Sequence, residues 1–258
     1  MPDTLEDYAT ELRTRGYTVI EGVLDSQQIA ATSAALEEIF AREAASGLAR
    51  ERGWHNDIYK VAYMLPQKHA IFRSFCQNPR LLPLMKMLLG DNCVVASLNG
   101  LTMTPGGETQ PLHIDQNETV AGNVLYINAL HALDDFTREN GCTRVVPYSQ
   151  DRKFPKPYTG SRVVDAEMEA VYLEAPAGSL IAYNGGLWHA GSQNKTSKPR
   201  RAIHAFFSRS WVRPQWDYPK SLSPDVAASL TEEQRRLFGF SAQAGWYDYK
   251  TDKQMRDR

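Results

Sequence analysis

The stretch CVVASLNGLTMT, residues 93–104, decides the fold class, because it is a β-rich run followed by a glycine-containing turn. Valine, threonine and other β-branched residues are typical of strands. Further short runs of this kind follow, and turns rich in Gly, Pro, Asn and Asp separate them. They are NVLYINALHAL (123–133), CTRVVPYS (142–149), AVYLEAP (170–176), SLIAYNG (179–185) and RAIHAFFSRSW (201–211). Short strands punctuated in this way indicate a sandwich or a barrel.

Helical patterns flank this β-rich region on both sides. Residues 3–15 and 26–46 show apolar positions at helical spacing, and residues 69–89 do so with a break near Asn78-Pro79. Between the first two helices, the run at 16–24 has strand character. The segment SPDVAASLTEEQRRLFGF, residues 223–240, predicts helix again near the end of the chain.

Together these patterns predict one domain that is mainly β with helical support. We expect a double-stranded β-helix, the jelly roll that cupins also use, with helices packed against one of its sheets. The predicted parts are helical support over about 1–90, a β core over about 92–212 and a helical tail over about 213–258. A chain of 258 residues is long enough for one such unit.

Composition excludes several classes of protein. With 42% hydrophobic and 23% charged residues the chain is expected to be globular, and its net charge of −1 argues against a nucleic-acid binder. No apolar run approaches the roughly 20 residues of a membrane span, and the N-terminal residues do not resemble a secretory signal. Three unpaired cysteines fit buried thiols in a reducing compartment, so we predict a cytoplasmic protein. The oligomeric state is not indicated.

The segment PLHIDQNE, residues 111–118, suggests a metal site. His113 and Asp115 are two apart in a segment of strand character, so they face the same side. A second histidine, His189, follows the Gly185-Gly186 break and is therefore expected at the rim of the β core. Two imidazoles and one carboxylate form the facial triad of non-haem Fe(II) oxygenases, which leaves metal positions open. A hydrolytic zinc site could use the same residues, so the triad alone does not identify the metal.

A basic pair begins the last predicted strand of the core. Arg200 would share one face of that strand with Ala202, His204 and Phe206, whereas Arg201 would face the other side. A guanidinium that points into the barrel requires an anion, and its planar fork suits a carboxylate. The distal carboxylate of 2-oxoglutarate is such a group, and we prefer Arg200 over Arg201 as its partner.

These motifs resemble those of the phytanoyl-CoA dioxygenase-like (PhyH) family of Fe(II)/2-oxoglutarate oxygenases. The matching features are His113–Asp115, ENGCTRVVPYS at 139–149, AGSLIAYNGGLWHAGSQNKT at 177–196 and Arg200-Arg201. The N-terminal GYTVIEGVLDSQQI and the LSPDVAASLTEEQRRLFGF tail are also similar, so the resemblance covers nearly the whole chain. One departure is PYSQ at 147–150, where the family frequently has PGSH, and it concerns the shape of that loop.

The resemblance implies roles for particular residues. His113, Asp115 and His189 match the iron ligands, and Arg200 matches the anchor of the cosubstrate carboxylate. Thr143 and Gln110 are weaker candidates for hydrogen bonds to 2-oxoglutarate, and ordinary strand hydrogen bonding would explain them equally.

The reaction implied is oxidative decarboxylation of 2-oxoglutarate by O2, coupled to oxidation of a C–H bond in a small molecule. Related halogenases have a small residue in place of the carboxylate, so Asp115 favours hydroxylation. Desaturation, epoxidation and ring formation stay open, and a natural-product intermediate is one of several substrate classes that fit. Two rival functions are a cupin-type metalloenzyme that does not use 2-oxoglutarate and a non-catalytic binding domain on the same fold.

Other conspicuous residues have simpler interpretations. His131 is expected to be a core histidine, and Trp188 is expected to pack beneath the site. His204 lies on the presumed inner face and is a candidate neighbour of the site. Trp54 and His55 lie in a polar segment that fits either an active-site flap or a surface loop.

Overall fold

The structure, a computed structural model, describes residues 4–47, 59–107, 109–116, 123–152, 169–240, 246–248 and 253–255. Its helices are α1 (Leu5–Thr14), α2 (Ser26–Ala45), α3 (Leu65–Lys68), α4 (Leu82–Leu89), α5 (Tyr218–Ser221), α6 (Pro224–Ala228) and α7 (Glu232–Leu237), with 3-10 turns at Ala70–Arg73 and Phe75–Gln77. Its strands are β1 (Tyr17–Ile20), β2 (Tyr59–Ala62), β3 (Val94–Met103), β4 (Tyr126–Ala132), β5 (Thr143–Val145), β6 (Val171–Leu173), β7 (Leu180–Asn184), β8 (His189–Gly191), β9 (Arg200–Ser208), β10 (Trp246–Asp248) and β11 (Lys253–Met255).

The first two helices begin where the sequence supplies capping residues. Thr4 accepts a hydrogen bond from the backbone N–H of Asp7, and Asp25 accepts one from that of Gln28, so each helix starts with a capping box. The apolar side of α2 is buried and includes Leu36, which packs where β3 carries Gly100; a Cβ there would collide with the leucine. The predicted helices at 3–15 and 26–46 are therefore confirmed.

The strands β1 to β9 form two antiparallel sheets that face each other, and β10 and β11 form a separate two-stranded ladder. The large sheet has the order β1-β7-β4-β9-β3-β2, and the small one has the order β6-β5-β8. An apolar cluster joins the sheets, with Leu130, Ile181 and Ala202 from the large sheet against Val145 and Leu173 from the small one. All six predicted runs of the core supply strands, and the predicted jelly roll is confirmed.

Alternation along the large sheet separates a helix-facing side from an inner side. In β9, Ile203, Ala205 and Phe207 belong to the buried cluster beneath the helices, whereas Ala202 belongs to the cluster between the sheets. Arg200, His204 and Phe206 share the inner side with Ala202 because side chains two apart on a strand point the same way. This register places polar side chains inside the roll.

Three local predictions need correction. Residues 69–89 are not one broken helix but two 3-10 turns followed by α4, because Pro79 and Pro83 prevent continuous helical hydrogen bonding. The strand predicted at 16–24 is confirmed as β1, but the N-terminal part also supplies an unpredicted strand, since β2 joins the large sheet beside β3. The tail is not purely helical either, because β10 and β11 pair as antiparallel strands.

Two further predictions concern the cysteines and the absence of a membrane-spanning segment. Cys76, Cys93 and Cys142 are free and buried, as expected. No helix in the described part of the chain is long and apolar enough to cross a membrane.

Candidate metal centre

His113 and His189 lie directly opposite each other on paired backbone segments. The N–H of each donates to the carbonyl of the other, and both N···O distances are 3.0 Å. The centroids of the two imidazole rings are 4.4 Å apart. The backbone pairing therefore brings together two side chains that are remote in the sequence.

Asp115 completes the group because the chain turns against the Gly185-Gly186 break. The backbone N–H groups of Asp115 and Gln116 both donate to the Gly185 carbonyl, at 3.0 and 3.2 Å. This places Oδ2 of Asp115 3.3 Å from Nε2 of His189 and Oδ1 of Asp115 3.8 Å from Nε2 of His113. One ligand atom from each of the three residues lies within 4.8 Å of the others.

The backbone also sets which nitrogen of each imidazole faces the cluster. Nδ1 of His189 lies 2.8 Å from the carbonyl oxygen of Leu187, and Nδ1 of His113 lies 3.0 Å from that of Pro111. A carbonyl oxygen only accepts hydrogen bonds, so Nδ1 carries the proton in both rings and donates it. In the neutral imidazole Nε2 then has a free lone pair, as a metal ligand requires.

A hydrogen-bonded chain from the inner sheet face holds the carboxylate. Nδ2 of Asn128 donates to Oδ2 of Asp115 at 2.8 Å, and Oδ1 of the same amide accepts from Nε2 of His204. Burial would raise the pKa of Asp115, but His189 and then His113 and His204 outweigh this effect, so its pKa lies well below its usual range. Burial lowers the pKa of His204 to about 4. The Asp115 carboxylate is thus held in its charged form.

This donor set fits a divalent metal ion of the Fe(II) type. Two imidazole nitrogens and one carboxylate oxygen converge, and three protein donors leave metal positions for other ligands. Zinc accepts the same donors, so the metal has to be inferred from the relationship of this chain to known proteins.

Comparison with known proteins supplies that relationship. The model of the family described as phytanoyl-CoA dioxygenase (PhyH) matches residues 12–202, most of the chain. The chain belongs to the PhyH family. It is 29% identical over 247 residues to dioxygenase af480 of Aspergillus fumigatus, an alignment that covers 92% of this chain and 77% of that protein. It is 28% identical over 244 residues to protein Rv1501 of Mycobacterium tuberculosis, with 92% and 87% covered.

The PhyH assignment agrees with solved structures of the same fold. The non-haem α-ketoglutarate-dependent carbocyclase SnoK from nogalamycin biosynthesis superimposes with a TM-score of 0.67 at 23% identity, covering 87% of this chain and 94% of SnoK. Family membership, dioxygenase-named relatives and the His-Asp-His group together identify the chain as an iron/2-oxoglutarate-type dioxygenase.

The structure separates the two arginines that begin β9. Arg200 is 3% exposed on the inner side, and its Cζ lies 4.1 Å from the centroid of the Phe136 ring. Arg201 faces the other side, where Nε and Nη2 donate to the Asp134 carboxylate at 2.9 and 2.7 Å. Arg201 is therefore engaged by a carboxylate of its own chain, whereas Arg200 lies within the roll.

The two weaker cosubstrate candidates lie beside β8, the strand of the small sheet that carries His189. Thr143 is buried in β5, with Gly191 of β8 as its register partner. Gln110 accepts a hydrogen bond through Oε1 from the backbone N–H of Gly191 at 2.8 Å. That contact is the strand-type hydrogen bonding considered as the alternative for Gln110, and the role of both residues toward 2-oxoglutarate stays a prediction.

Sequence patterns did not predict the roles of two side chains that organise the site. Arg144 is buried and donates from Nη1 to the Gly191 carbonyl at 2.8 Å and from Nη2 to the Gln110 carbonyl at 2.7 Å. It thereby ties the segment before His113 to the strand of His189. Asn128 orients Asp115, and only the register of β4 against its neighbours reveals this. An inward position in an otherwise apolar strand was the one available hint.

The remaining histidine and tryptophan predictions have simple outcomes. His131 is fully buried on the helix-facing side, with its ring centroid 4.6 Å from that of Phe75, so it is a core residue. Trp188 packs in a small cluster with Leu112 and Val146, next to the metal centre as expected. Trp54 and His55 lie outside the described residues.

The loop that departs from the family motif keeps a glycine-like backbone. Tyr148 has φ 60°, in the left-handed region that glycine favours, and its side chain projects into solvent. Gln150, at the position of the motif histidine, donates from Nε2 to the Thr14 carbonyl at 2.8 Å. The substitutions therefore leave a left-handed turn in place.

Proposed function

We propose that this protein uses Fe(II), 2-oxoglutarate and O2 to hydroxylate a small organic molecule. The observation that carries the proposal is the convergence of His113, Asp115 and His189, whose ligand atoms lie within 4.8 Å of one another. They stand beside the inner face of a jelly roll in a chain of the PhyH family.

In this proposal the chain's own hydrogen bonds prepare the metal ligands. The carbonyls of Leu187 and Pro111 fix the imidazole tautomers, so that Nε2 of each histidine is available to the metal. Asn128 holds one oxygen of Asp115 and so orients the carboxylate. Partners of this kind commonly change metal affinity about 10- to 100-fold when they are removed.

Arg200 is proposed to bind the distal carboxylate of 2-oxoglutarate. It lies on the inner side of β9, and the same side carries His204, which is linked through Asn128 to Asp115. A buried guanidinium binds a carboxylate through charge-assisted hydrogen bonds. Thr143 of β5 and Gln110, which both lie beside Gly191, are proposed as additional polar contacts.

The bound Fe(II) would supply the redox chemistry that converts 2-oxoglutarate, O2 and a C–H bond into succinate, carbon dioxide and a C–OH group. Asp115 supports hydroxylation rather than halogenation, since the carboxylate takes the position that a halide would need. We further propose a substrate from specialised metabolism. The SnoK enzyme, which shares the fold, is a carbocyclase of nogalamycin biosynthesis.

The test is succinate formation by the purified protein supplied with Fe(II), 2-oxoglutarate and O2. We expect His113→Ala, Asp115→Ala and His189→Ala each to abolish it, because each removes one of three protein ligands. His69→Ala is the matched control, since His69 caps a 3-10 turn outside the group and should leave succinate formation unchanged. Normal activity in any folded triad variant would remove that residue from the proposed centre.

A further inference from the structure

A cavity of about 460 Å³ opens directly beside Asp115. Its volume lies in the range of small-molecule sites, roughly 300–1,000 Å³. The wall includes Asp115, Gln116, Tyr126, Phe206, Trp211 and Arg213. The cavity therefore adjoins one proposed metal ligand, and most of its lining side chains have no role in the proposed metal and cosubstrate sites.

This cavity lies away from the proposed cosubstrate anchor. Arg200 and Phe206 are on the same inner side of β9, near its opposite ends. At about 3.3 Å per residue their Cα atoms are roughly 20 Å apart. His204, which is linked to Asp115 through Asn128, lies between them. The metal centre thus separates the region of Arg200 from the cavity at Phe206, and the cavity is placed to hold the molecule that is oxidised.

The wall of the cavity contains a polar group without a protein partner. Gln116 is 4% exposed, and within the described part of the chain its Oε1 accepts no hydrogen bond. Gly186 makes room for this amide, because a Cβ at that position would lie 2.8 Å from Nε2 of Gln116. A buried amide oxygen that is not hydrogen-bonded is costly, on the order of 1–3 kcal/mol. Because Oε1 has almost no accessible surface, this amide shapes the wall and does not offer the cavity a hydrogen-bond acceptor.

The remaining lining residues define the chemistry of such a molecule. The rings of Tyr126 and Phe206 stack on each other in parallel, with centroids 4.8 Å apart, and this pair forms the aromatic wall of the cavity. Trp211 also lines the cavity and is 72% exposed, an unusual exposure for an indole. Aromatic surfaces of this kind bind flat rings by stacking.

Arg213 supplies the positive charge of the cavity. It makes no hydrogen bond or ion pair to another residue of the described ranges, whereas nearby Arg209 donates to the carbonyls of Val124, Leu88 and Leu89. Asp115, the other charged group of the lining, is held by Asn128 toward the metal centre. An anionic group on the ligand would therefore find its partner in Arg213.

We propose that the cavity binds the primary substrate and that this substrate is a flat, ring-containing carboxylic acid. Its ring contacts Trp211 and the Tyr126–Phe206 wall, and its carboxylate pairs with Arg213. The identification of the bound molecule as the substrate rests on the proposed function, but its binding can be measured without turnover.

The probes are 2-naphthoate and its neutral analogue 2-naphthamide, which share the ring and differ in charge. Their dissociation constants are measured by ligand-observed NMR under anaerobic conditions, on protein loaded with Fe(II) and 2-oxoglutarate. We expect the acid to bind about three- to tenfold more tightly than the amide, since Arg213 is solvent-exposed. Arg213→Gln should abolish this preference, and Trp211→Ala should weaken both probes by a similar factor. Lys220→Gln, which removes an exposed charge outside the lining, should change neither.

Several outcomes overturn the inference. Equal affinities for acid and amide would show that Arg213 does not bind the carboxylate, and a similar loss in Lys220→Gln would indicate only general charge attraction. Loss of naphthoate binding in Arg200→Ala with retention in Arg213→Gln would place the probe in the cosubstrate region. If the proposed function is wrong, 2-oxoglutarate-dependent succinate formation will be absent while naphthoate binding persists. The two failures can therefore be distinguished.

Discussion

Replacing Arg200 by alanine tests the proposed cosubstrate site at a single buried charge. The side chain is 3% exposed, so a carboxylate bound there is poorly hydrated and depends on the guanidinium. Truncating one partner of a buried, hydrogen-bonded charge pair costs about 2–5 kcal/mol. This corresponds to a loss of about thirty-fold to several-thousand-fold in the affinity for 2-oxoglutarate.

The neighbouring arginine provides a matched comparison. Arg201→Ala removes the same charge from the opposite face, where Asp134 already binds it. We expect it to leave the 2-oxoglutarate affinity nearly unchanged and to lower the free energy of unfolding by about 1 kcal/mol, since the ion pair is partly exposed. Arg200→Lys should recover only part of the affinity, because an ammonium lacks the planar fork.

The assay is the dependence of succinate formation on 2-oxoglutarate concentration for the wild type and the three variants. Fe(II) affinity measured alongside should be unchanged, because Arg200 is not among the proposed ligands. A large loss in Arg201→Ala with a negligible loss in Arg200→Ala would contradict the assigned faces of β9. Negligible losses in both would remove Arg200 from the cosubstrate site.

Three further predictions concern the support of the site and the fold. Asn128→Leu should weaken Fe(II) binding about 10- to 100-fold, since Asp115 loses its hydrogen bond; unchanged binding in an anaerobic titration would contradict this role. Burial lowers the pKa of His131 to about 3, whereas in the unfolded chain the pKa is about 6.5. The contribution of His131 to the free energy of unfolding is therefore complete above pH 6.5, and it falls by about 1.4 kcal/mol per pH unit as the pH decreases toward 3. His131→Leu should reduce the pH dependence of urea unfolding by that slope, and an unchanged slope would refute the assignment. Tyr148→Gly should be neutral or stabilise the fold by up to about 1 kcal/mol, because it relieves the left-handed backbone at φ 60°, whereas Tyr148→Val should destabilise it.

Much of the fold and the three proposed ligands could be predicted because they depend on local patterns. Alternation put His113 and Asp115 on one face, and the Gly185-Gly186 break indicated a rim position for His189. The same alternation separated Arg200 from Arg201. These inferences need only the period of a strand and the punctuation of turns.

What could not be predicted depends on register between distant strands. Asn128 reaches Asp115 only because β4 lies beside β9 and β7, and Arg144 acts through carbonyls on two other segments. The cavity likewise combines residues after β9 with residues near His113. The β10–β11 pair was missed because strands as short as these carry little signal against a helical neighbourhood.

The central claim is that one centre binds both Fe(II) and 2-oxoglutarate, and anaerobic visible absorption tests it most directly. A 2-oxo acid chelated to Fe(II) gives a metal-to-ligand charge-transfer band that neither component gives alone. We predict that the band forms with one Fe(II) per chain when 2-oxoglutarate is added, that succinate does not produce it, and that Asp115→Ala abolishes it. Tight Fe(II) binding in the wild type with no band at saturating 2-oxoglutarate would contradict the account and identify a metalloenzyme that does not use this cosubstrate.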